Sequence, residues 1–260
     1  MTRSPKAAGS SDGDRFYKKD LAHIHDLGFS EYAVRSAPGI LGIFRRNGIN
    51  GGLVVDLGCG SGLWAALLTG AKYRVIGIDA SPAMIRIAHG RAPAAEFRVG
   101  SLYRTVIPQC AAVTSVGECL NYAFASGIGL TSLTALFHRV HKALDPGGLF
   151  IFDLATPGQV PRSTTVKTFT EGNGWMVAVE KQEDHRRAIL TRRIITFTKR
   201  GKGYRRDEEL HRLRLYSTSE VVERLERARF KVTTGHHYGT YRLPPAHVVF
   251  IARKQAWNNR

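Results

Sequence analysis

Residues 53–154 alternate between short apolar runs and stretches in which apolar positions have helical spacing. The short runs are rich in Val, Ile and Leu, which is typical of buried strands, whereas 130–144 has an apolar stripe that predicts an amphipathic helix. Strands that alternate with helices favour a parallel sheet between helical layers. The predicted strands are 53–56, 73–79, 96–99, 111–115 and 149–154, and the predicted helices are 63–69, 82–90 and 130–144.

The pattern changes at about residue 163, where helical spacing ends and strand-forming residues dominate as far as residue 216. The glycine-rich groups 172–174 and 201–203 separate the β-rich stretches, as hairpin turns do. This region is therefore predicted to be an antiparallel insert and not a continuation of the parallel sheet. Its predicted strands are 164–170, 175–183, 188–200 and 204–216.

Further elements are predicted on both sides of these two regions. Two helices are expected between residues 15 and 47, with Ser30 capping the second and an interruption near Pro38 and Gly39. Ser217 and Glu220 have the spacing of a capping box, which predicts a helix that is followed by two final strands. That helix covers 221–229, and the strands lie near 230–234 and 247–252. The predicted division of the chain is a flexible N-terminus at 1–13, a main domain formed by 14–162 and 217–260, and the insert at 163–216.

The composition is typical of a globular protein of a reducing compartment. Hydrophobic residues make up 43% of the 260, which is enough for a core, and no apolar run approaches the roughly 18 residues of a membrane span. The three cysteines, Cys59, Cys110 and Cys119, have no CxxC spacing, which disfavours a disulfide framework. The first 20 residues lack the apolar stretch of a secretory signal. We therefore expect a cytoplasmic protein that does not associate with a membrane.

The net charge of +17 is concentrated in the C-terminal part of the chain. Residues 1–160 carry 16 Lys and Arg against 11 Asp and Glu, whereas residues 161–260 carry 22 against 10. A basic block of this kind suits an acidic partner, such as RNA or a phosphorylated small molecule. It more often reflects solvated strand faces, so charge alone does not identify a partner.

The run 54–62, Val-Val-Asp-Leu-Gly-Cys-Gly-Ser-Gly, predicts a strand, a tight loop and the start of a helix. Glycines there let a ligand lie against the backbone, and the helix N-terminus offers N–H groups to an anionic group. Asp79 ends the next predicted strand, where an acid accepts hydrogen bonds from ribose hydroxyls in nucleotide-binding folds. Leu63 occupies the position at which a dinucleotide fingerprint has its third glycine, which disfavours NAD.

Three segments, in this order along residues 52–154, resemble the motifs of class I S-adenosylmethionine (SAM)-dependent methyltransferases. They are the loop 54–62, the segment 75–84 (Val-Ile-Gly-Ile-Asp-Ala-Ser-Pro-Ala-Met) and the segment 144–150 (Leu-Asp-Pro-Gly-Gly-Leu-Phe). The resemblance implies an α/β fold with a Rossmann-like, seven-stranded, mostly parallel sheet and SAM as cofactor. The insert after the fifth strand is similar to that of small-molecule methyltransferases acting on amino-sugars and other amines, in which it caps the substrate and often pairs subunits.

The resemblance also implies how this chain would bind SAM. Gly58 and Gly60 would let the methionine part pass close to the backbone, while Asp56 would orient its ammonium group. Asp79 would hold the ribose, and Ser101 stands where the family often has an acid that bonds the adenine amino group. The complete set of implied cofactor residues is Tyr32, Asp56, Gly58, Cys59, Gly60, Asp79, Ala80, Met84, Ser101, Leu102 and Gly117.

Methyl transfer is an in-line displacement that needs the acceptor atom about 3 Å from the methyl carbon, and a base only if the acceptor is protonated. The paired histidines His23 with His25, and His236 with His237, lack a nearby third ligand, so no metal site is expected. The residues predicted for catalysis are Tyr17, His25, Glu118 and Tyr122, with His23 as a further candidate. The residues predicted to contact the acceptor are Asn121, Trp175, His211 and Tyr216.

These patterns favour a cytoplasmic, SAM-dependent methyltransferase that acts on a nitrogen or oxygen of a small molecule, with the insert as a candidate homodimer surface. Two alternatives stay open. An RNA methyltransferase would use the basic C-terminal part, although 118–121 lacks the Asn/Asp-Pro-Pro-Tyr/Phe signature of enzymes that methylate base amino groups. A non-catalytic SAM-binding protein would need the same glycine loop and the same Asp79.

Overall fold

The computed structural model describes residues 16–122 and 129–255, so the predicted flexible segment 1–13 lies outside the described residues. The helices are α1 Lys19–Gly28, α2 Glu31–Arg46, α3 Leu63–Gly70, α4 Pro82–Arg91, α5 Leu130–Ala143 and α6 Thr218–Arg227. The strands are β1 Leu53–Leu57, β2 Arg74–Asp79, β3 Glu96–Val99, β4 Cys110–Ser115, β5 Leu144–Ala155, β6 Val166–Gly172, β7 Trp175–Asp184, β8 Ile189–Arg200, β9 Gly203–Arg214, β10 Phe230–Gly235, β11 His237–Tyr238, β12 Tyr241–Arg242 and β13 His247–Lys254.

Seven of these strands form the main sheet, in the spatial order β10-β13-β5-β4-β1-β2-β3. Strands β1 to β5 are parallel, and β13 is antiparallel to both of its neighbours. The structure therefore confirms the predicted seven-stranded, mostly parallel sheet. From β1 the sheet extends through β2 to β3 on one side and through β4 to β5 on the other. Where the strand order reverses in this way, a crevice opens at the carboxyl ends of β1 and β4.

Both faces of the main sheet are covered by apolar side chains. Val55 and Phe150 point into one layer of the core, whereas their neighbours Val54 and Ile151 point into the other. Because side chains alternate along a strand, burial on both faces requires continuous apolar runs such as those of β1 and β5. No helix within residues 16–122 and 129–255 is long and apolar enough to cross a membrane.

The predicted interruption of the second helix is wrong, because α2 continues from Glu31 to Arg46 with Pro38 inside it. Ser30 also makes no side-chain capping bond. Gly39 has a different role from the expected break: a Cβ there would collide with the backbone of Tyr238 in β11. The glycine therefore allows α2 to pack directly on the β11–β12 hairpin, which the sequence pattern did not predict.

The boundary between α5 and β5 also differs from the prediction. Leu144 pairs with Cys110, and the register of β4 and β5 shifts between Cys110 and Ala112. The Asp-Pro-Gly-Gly segment therefore lies inside an irregular β5 that begins at Leu144, five residues before the predicted start. The remaining strands of the main sheet agree with the predictions to within about two residues.

The insert is a four-stranded antiparallel sheet in the order β6-β7-β8-β9, as expected. Its last strand is joined to the main sheet by the buried side chain of Asn121. The Nδ2 of Asn121 donates to the carbonyl oxygens of Ala155 at 2.8 Å and Arg214 at 2.7 Å, and its Oδ1 accepts the N–H of Ala155 at 2.9 Å. These three bonds fix the insert to the end of β5.

Replacing Gly39 with alanine should destabilise the protein, because the added methyl group meets buried backbone that cannot turn away. We expect the free energy of unfolding, measured by urea denaturation, to fall by about 3 kcal/mol. Gly70→Ala is the matched control, since a Cβ at the end of α3 meets no atom within 4 Å and the substitution should stabilise the helix by up to about 1 kcal/mol. Equal stability of the two variants would contradict the proposed contact.

Candidate functional site

A cavity of about 790 Å³ lies between the carboxyl ends of the central parallel strands and the insert. This volume is in the range of small-molecule sites, roughly 300–1,000 Å³. All eleven residues predicted to contact the cofactor line it, so the structure brings them together. Their individual roles remain predictions. They are Tyr32, Asp56, Gly58, Cys59, Gly60, Asp79, Ala80, Met84, Ser101, Leu102 and Gly117.

The glycine loop after β1 adopts backbone angles that favour glycine. Gly58, Gly60 and Gly62 have φ values of 79°, 53° and 78°. A Cβ at Gly58 would come within 2.6 Å of the Cβ of Cys119, whereas a Cβ at Gly60 would meet no atom within 4 Å. Because Gly60 lines the cavity, the space beside its backbone is open to a ligand.

The carboxylate of Asp79 is held at the end of β2 by two backbone donors. Oδ2 accepts the N–H of Gly60 at 2.9 Å, and Oδ1 accepts the N–H of Ser81 at 2.8 Å. Burial raises the pKa of Asp79, while these two donors act in the opposite direction. Each carboxylate oxygen keeps a second lone pair, so both can accept a hydrogen bond from a pair of ribose hydroxyls.

Asp56 is buried beneath the glycine loop and belongs to a short hydrogen-bonded chain. Its Oδ1 accepts the hydroxyl of Thr114 at 2.8 Å, and the Oγ1 of Thr114 accepts the indole N–H of Trp64 at 3.1 Å. Burial raises the pKa of Asp56 to about 7, although the hydrogen bond from Thr114 acts to lower it. A cationic group placed beside this carboxylate would favour its ionised form, which fits the ammonium group of a methionine.

Glu118 follows β4 and binds two cations that come from distant parts of the chain. Both oxygens of its carboxylate accept from the guanidinium of Arg192 in β8, and Oε2 also lies 3.0 Å from Nε2 of His247 in β13. Burial acts to raise the pKa of Glu118, but Arg192 and His247 outweigh burial and lower it to about 2. The carboxylate is therefore ionised, and it lies in the cavity as predicted.

His247 was not predicted from the sequence. Its Nδ1 faces the carbonyl oxygen of Pro245 at 2.9 Å, and its Nε2 faces the carboxylate of Glu118, so each ring nitrogen faces an acceptor. Burial acts to lower the pKa of His247, but the bond to Glu118 raises it above its ordinary value. This arrangement favours an imidazolium. Arg192 was missed as well, although an arginine between Leu190 and Ile194 interrupts the apolar side of a strand and was a signal.

The turn that carries Glu118 is fixed by Asp153, another buried acid that sequence reasoning missed. Its carboxylate accepts the N–H of Gly117 at 3.0 Å, the N–H of Glu118 at 2.7 Å and the hydroxyl of Tyr238 at 2.9 Å. Gly117 and Glu118 both have positive φ values, 94° and 57°. Asp153 therefore holds a strained turn in the conformation that directs Glu118 toward Arg192. The signal was an acid inside the apolar run of β5.

The segment before α1 brings Tyr17 to the cavity. The hydroxyl oxygens of Tyr17 and Tyr122 lie 2.9 Å apart, and both residues line the cavity as predicted. The backbone N–H groups of Tyr17 and Lys18 donate to the two carboxylate oxygens of Glu209, at 2.7 and 2.9 Å. Nε2 of His211 lies 2.8 Å from the same carboxylate. The insert thus positions Tyr17 through Glu209.

His25 lines the cavity next to Tyr17, whose ring it meets edge to face at a centroid distance of 5.3 Å. Its Nδ1 is buried and has no hydrogen-bond partner among the described residues. Burial lowers the pKa of His25 to about 4. The imidazole is therefore neutral at neutral pH, and its burial makes it a weak base.

The four residues predicted to contact the acceptor are not among those that line the cavity. Asn121 binds backbone, His211 binds Glu209, Trp175 packs against Gly28 and Tyr216 belongs to the core. His23 is exposed on α1. The insert contributes other side chains to the cavity: Thr168, Thr170, Val177, Val179, Lys181, Arg192 and Ile194.

A sheet of this order, with a glycine loop after β1 and an acid at the end of β2, is a doubly wound arrangement of the kind that binds nucleotides. Residues 54–148 match the family model described as "Methyltransferase domain". This segment of the chain is therefore similar to a methyltransferase domain.

Similarity to individual proteins extends over different parts of the chain. The trans-aconitate 2-methyltransferase of Paracidovorax citrulli (strain AAC00-1) is 35% identical over 143 residues, which cover 53% of this chain and 52% of that enzyme. The chain thus spans about half the length of this curated relative.

Solved structures match nearly the whole chain. A SAM-dependent methyltransferase from Clostridium acetobutylicum ATCC 824 superimposes with a TM-score of 0.76 and 19% identity, covering 91% of this chain and 98% of that one. The SAM-bound amino pentose methyltransferase of Micromonospora echinaspora, involved in calicheamicin biosynthesis, superimposes with a TM-score of 0.73 and 17% identity, covering 90% of this chain and 97% of that one. At these identities the likeness shows the fold.

The lowered pKa of His25 predicts that the folded protein loses stability as the pH falls, and a variant without this histidine should lose less. The unfolded chain binds a proton at this histidine below pH 6.5, whereas the folded protein does so only below about pH 4. The free energy of unfolding therefore falls as the pH is lowered from 6.5 to 4. Relative to His25→Gln, the wild type should lose about 2–3 kcal/mol of unfolding free energy between pH 7 and pH 4. Urea denaturation of both proteins across this range measures the difference, and parallel pH profiles would contradict the buried, neutral state.

Proposed function

We propose that this protein transfers a methyl group from SAM to a nitrogen or oxygen atom of a small molecule. The observation that carries the proposal is that one cavity is lined by every predicted cofactor residue, by Glu118 and by side chains of the insert. The names of the relatives describe methylation of an organic acid and of an amino pentose, so they support small acceptors of both chemical types.

The residues present fit the proposed cofactor part by part. The two carboxylate oxygens of Asp79 are held by backbone donors and would accept from the ribose hydroxyls, and Ala80 and Met84 would provide an apolar contact for adenine. Gly60 leaves open space beside the backbone, and Asp56 offers a buried carboxylate to an ammonium group. SAM would supply an electrophilic methyl group on a sulfonium sulfur.

The protein's contribution to the reaction is alignment, exclusion of water and removal of a proton where the acceptor carries one. His25 is the group we assign to proton removal, because it lines the cavity and its Nδ1 has no partner in the described part of the chain. The hydroxyl pair of Tyr17 and Tyr122 lies beside it and can orient a polar acceptor. Glu118 is engaged by two cations, so we assign it an electrostatic and positioning role instead of a role as base.

Gly60→Val should weaken cofactor binding, because its side chain enters the open space that the ligand needs. By calorimetry, we expect S-adenosylhomocysteine to bind this variant more than tenfold more weakly than the wild type. Gly48→Val is the matched control: its φ of 76° imposes similar backbone strain, no atom lies within 4 Å of its Cβ, and it does not line this cavity. Wild-type affinity in Gly60→Val would contradict the assigned binding mode.

Incubation with SAM labelled in its methyl group and a cell extract of the source organism tests the activity itself. Label that enters small metabolites, and is lost with Gly60→Val, is the expected result. Label in RNA would instead support the alternative based on the basic C-terminal part. Binding of S-adenosylhomocysteine without any labelled product would support the non-catalytic alternative.

A further inference from the structure

Two cations of the insert face each other inside the cavity. Lys181 in β7 and Arg192 in β8 are directly opposed in the antiparallel register, so their side chains leave the sheet on the same face. Both residues line the cavity. Their neighbours on this face are Val179 and Ile194, which are also directly paired, so the two charges lie at the edge of an apolar surface.

The described residues provide no carboxylate that pairs directly with Lys181. Arg192 is bound to Glu118, and Glu118 also binds His247, so one carboxylate serves two cations. The side-chain ammonium group of Lys181 has no hydrogen bond or ion pair with any residue of 16–122 or 129–255. Burial and the nearby charge of Arg192 both lower the pKa of Lys181, whereas Glu118 raises it by a smaller amount. Like charges directly opposite each other on a sheet are destabilising, and a bound anion would remove that cost.

We propose that Lys181, beside Arg192, binds an anionic group of the methyl acceptor, a carboxylate or a phosphate. This rests on the proposed function, because it assigns the insert's side of the cavity to the acceptor. An ammonium group offers three donors to such an anion. Thr168 and Thr170 of β6 line the same cavity and are paired with Val179 and Val177 of β7. The anion would be held by the insert, and the acceptor atom would extend from it toward Glu118 and His25.

Titration calorimetry of the protein saturated with S-adenosylhomocysteine tests this assignment at constant ionic strength. Citrate is the carboxylate probe and inorganic pyrophosphate is the phosphate probe, so the two arms distinguish the two sources of negative charge. We expect one of the probes to saturate a single site. We expect Lys181→Met to weaken that binding about tenfold or more and Lys181→Arg to retain most of it. Lys199→Met is the control, because Lys199 is exposed and does not line the cavity.

The outcomes separate this inference from the proposed function. Unchanged anion binding in Lys181→Met, equal losses in Lys199→Met, or no saturable binding of either probe would overturn the role of Lys181. Weakened binding of S-adenosylhomocysteine to Lys181→Met would also overturn it, because the lysine would then serve the cofactor. Failure of the wild type to bind S-adenosylhomocysteine would instead contradict the proposed function, and repeating both titrations without it would still test the anion site.

Discussion

The ionised carboxylate of Glu118 joins the three parts of the chain that enclose the cavity. It lies at the end of β4, Arg192 comes from the insert, and His247 begins the last strand of the main sheet. A buried carboxylate is costly without partners, and removing one member of such a group leaves an uncompensated charge, which typically costs about 3–5 kcal/mol. The position of the insert over the parallel sheet therefore depends on this cluster as well as on the hydrogen bonds of Asn121.

This cluster in turn depends on a strained turn. Gly117 and Glu118 have successive positive φ values, a conformation that costs energy for a glutamate. Asp153 stabilises it by accepting both backbone N–H groups, and Tyr238 supplies a third donor to the same carboxylate. Because Tyr238 belongs to the hairpin that packs on Gly39, the geometry of the cavity also depends on the packing of α2.

The parts of the site that the sequence predicted are those whose geometry is local. The glycine loop and Asp79 each follow a strand directly, and the backbone N–H groups that orient Asp79 lie 2 and 19 residues from it. Arg192, His247 and Asp153 depend on contacts between segments 35 to 129 residues apart, which no local pattern encodes. Trp175 and His211 were assigned to the acceptor by residue type, but the register of the insert and the position of α1 turn them toward other partners.

Helix α1 connects the glycine loop to the insert. Near its start, Asp20 accepts from Thr198 at 2.8 Å and from Arg200 at 3.1 Å, both in the insert. Near its end, Asp26 binds Arg91 of α4, and Arg91 donates to the carbonyl oxygen of Ser61 in the glycine loop at 2.9 Å. One short helix is thus bonded to both walls and carries His25 between them. In-line transfer, the reaction proposed here, requires donor and acceptor to be aligned within a fraction of an ångström, so it would depend on the placement of this helix as well as on the groups that contact the ligands.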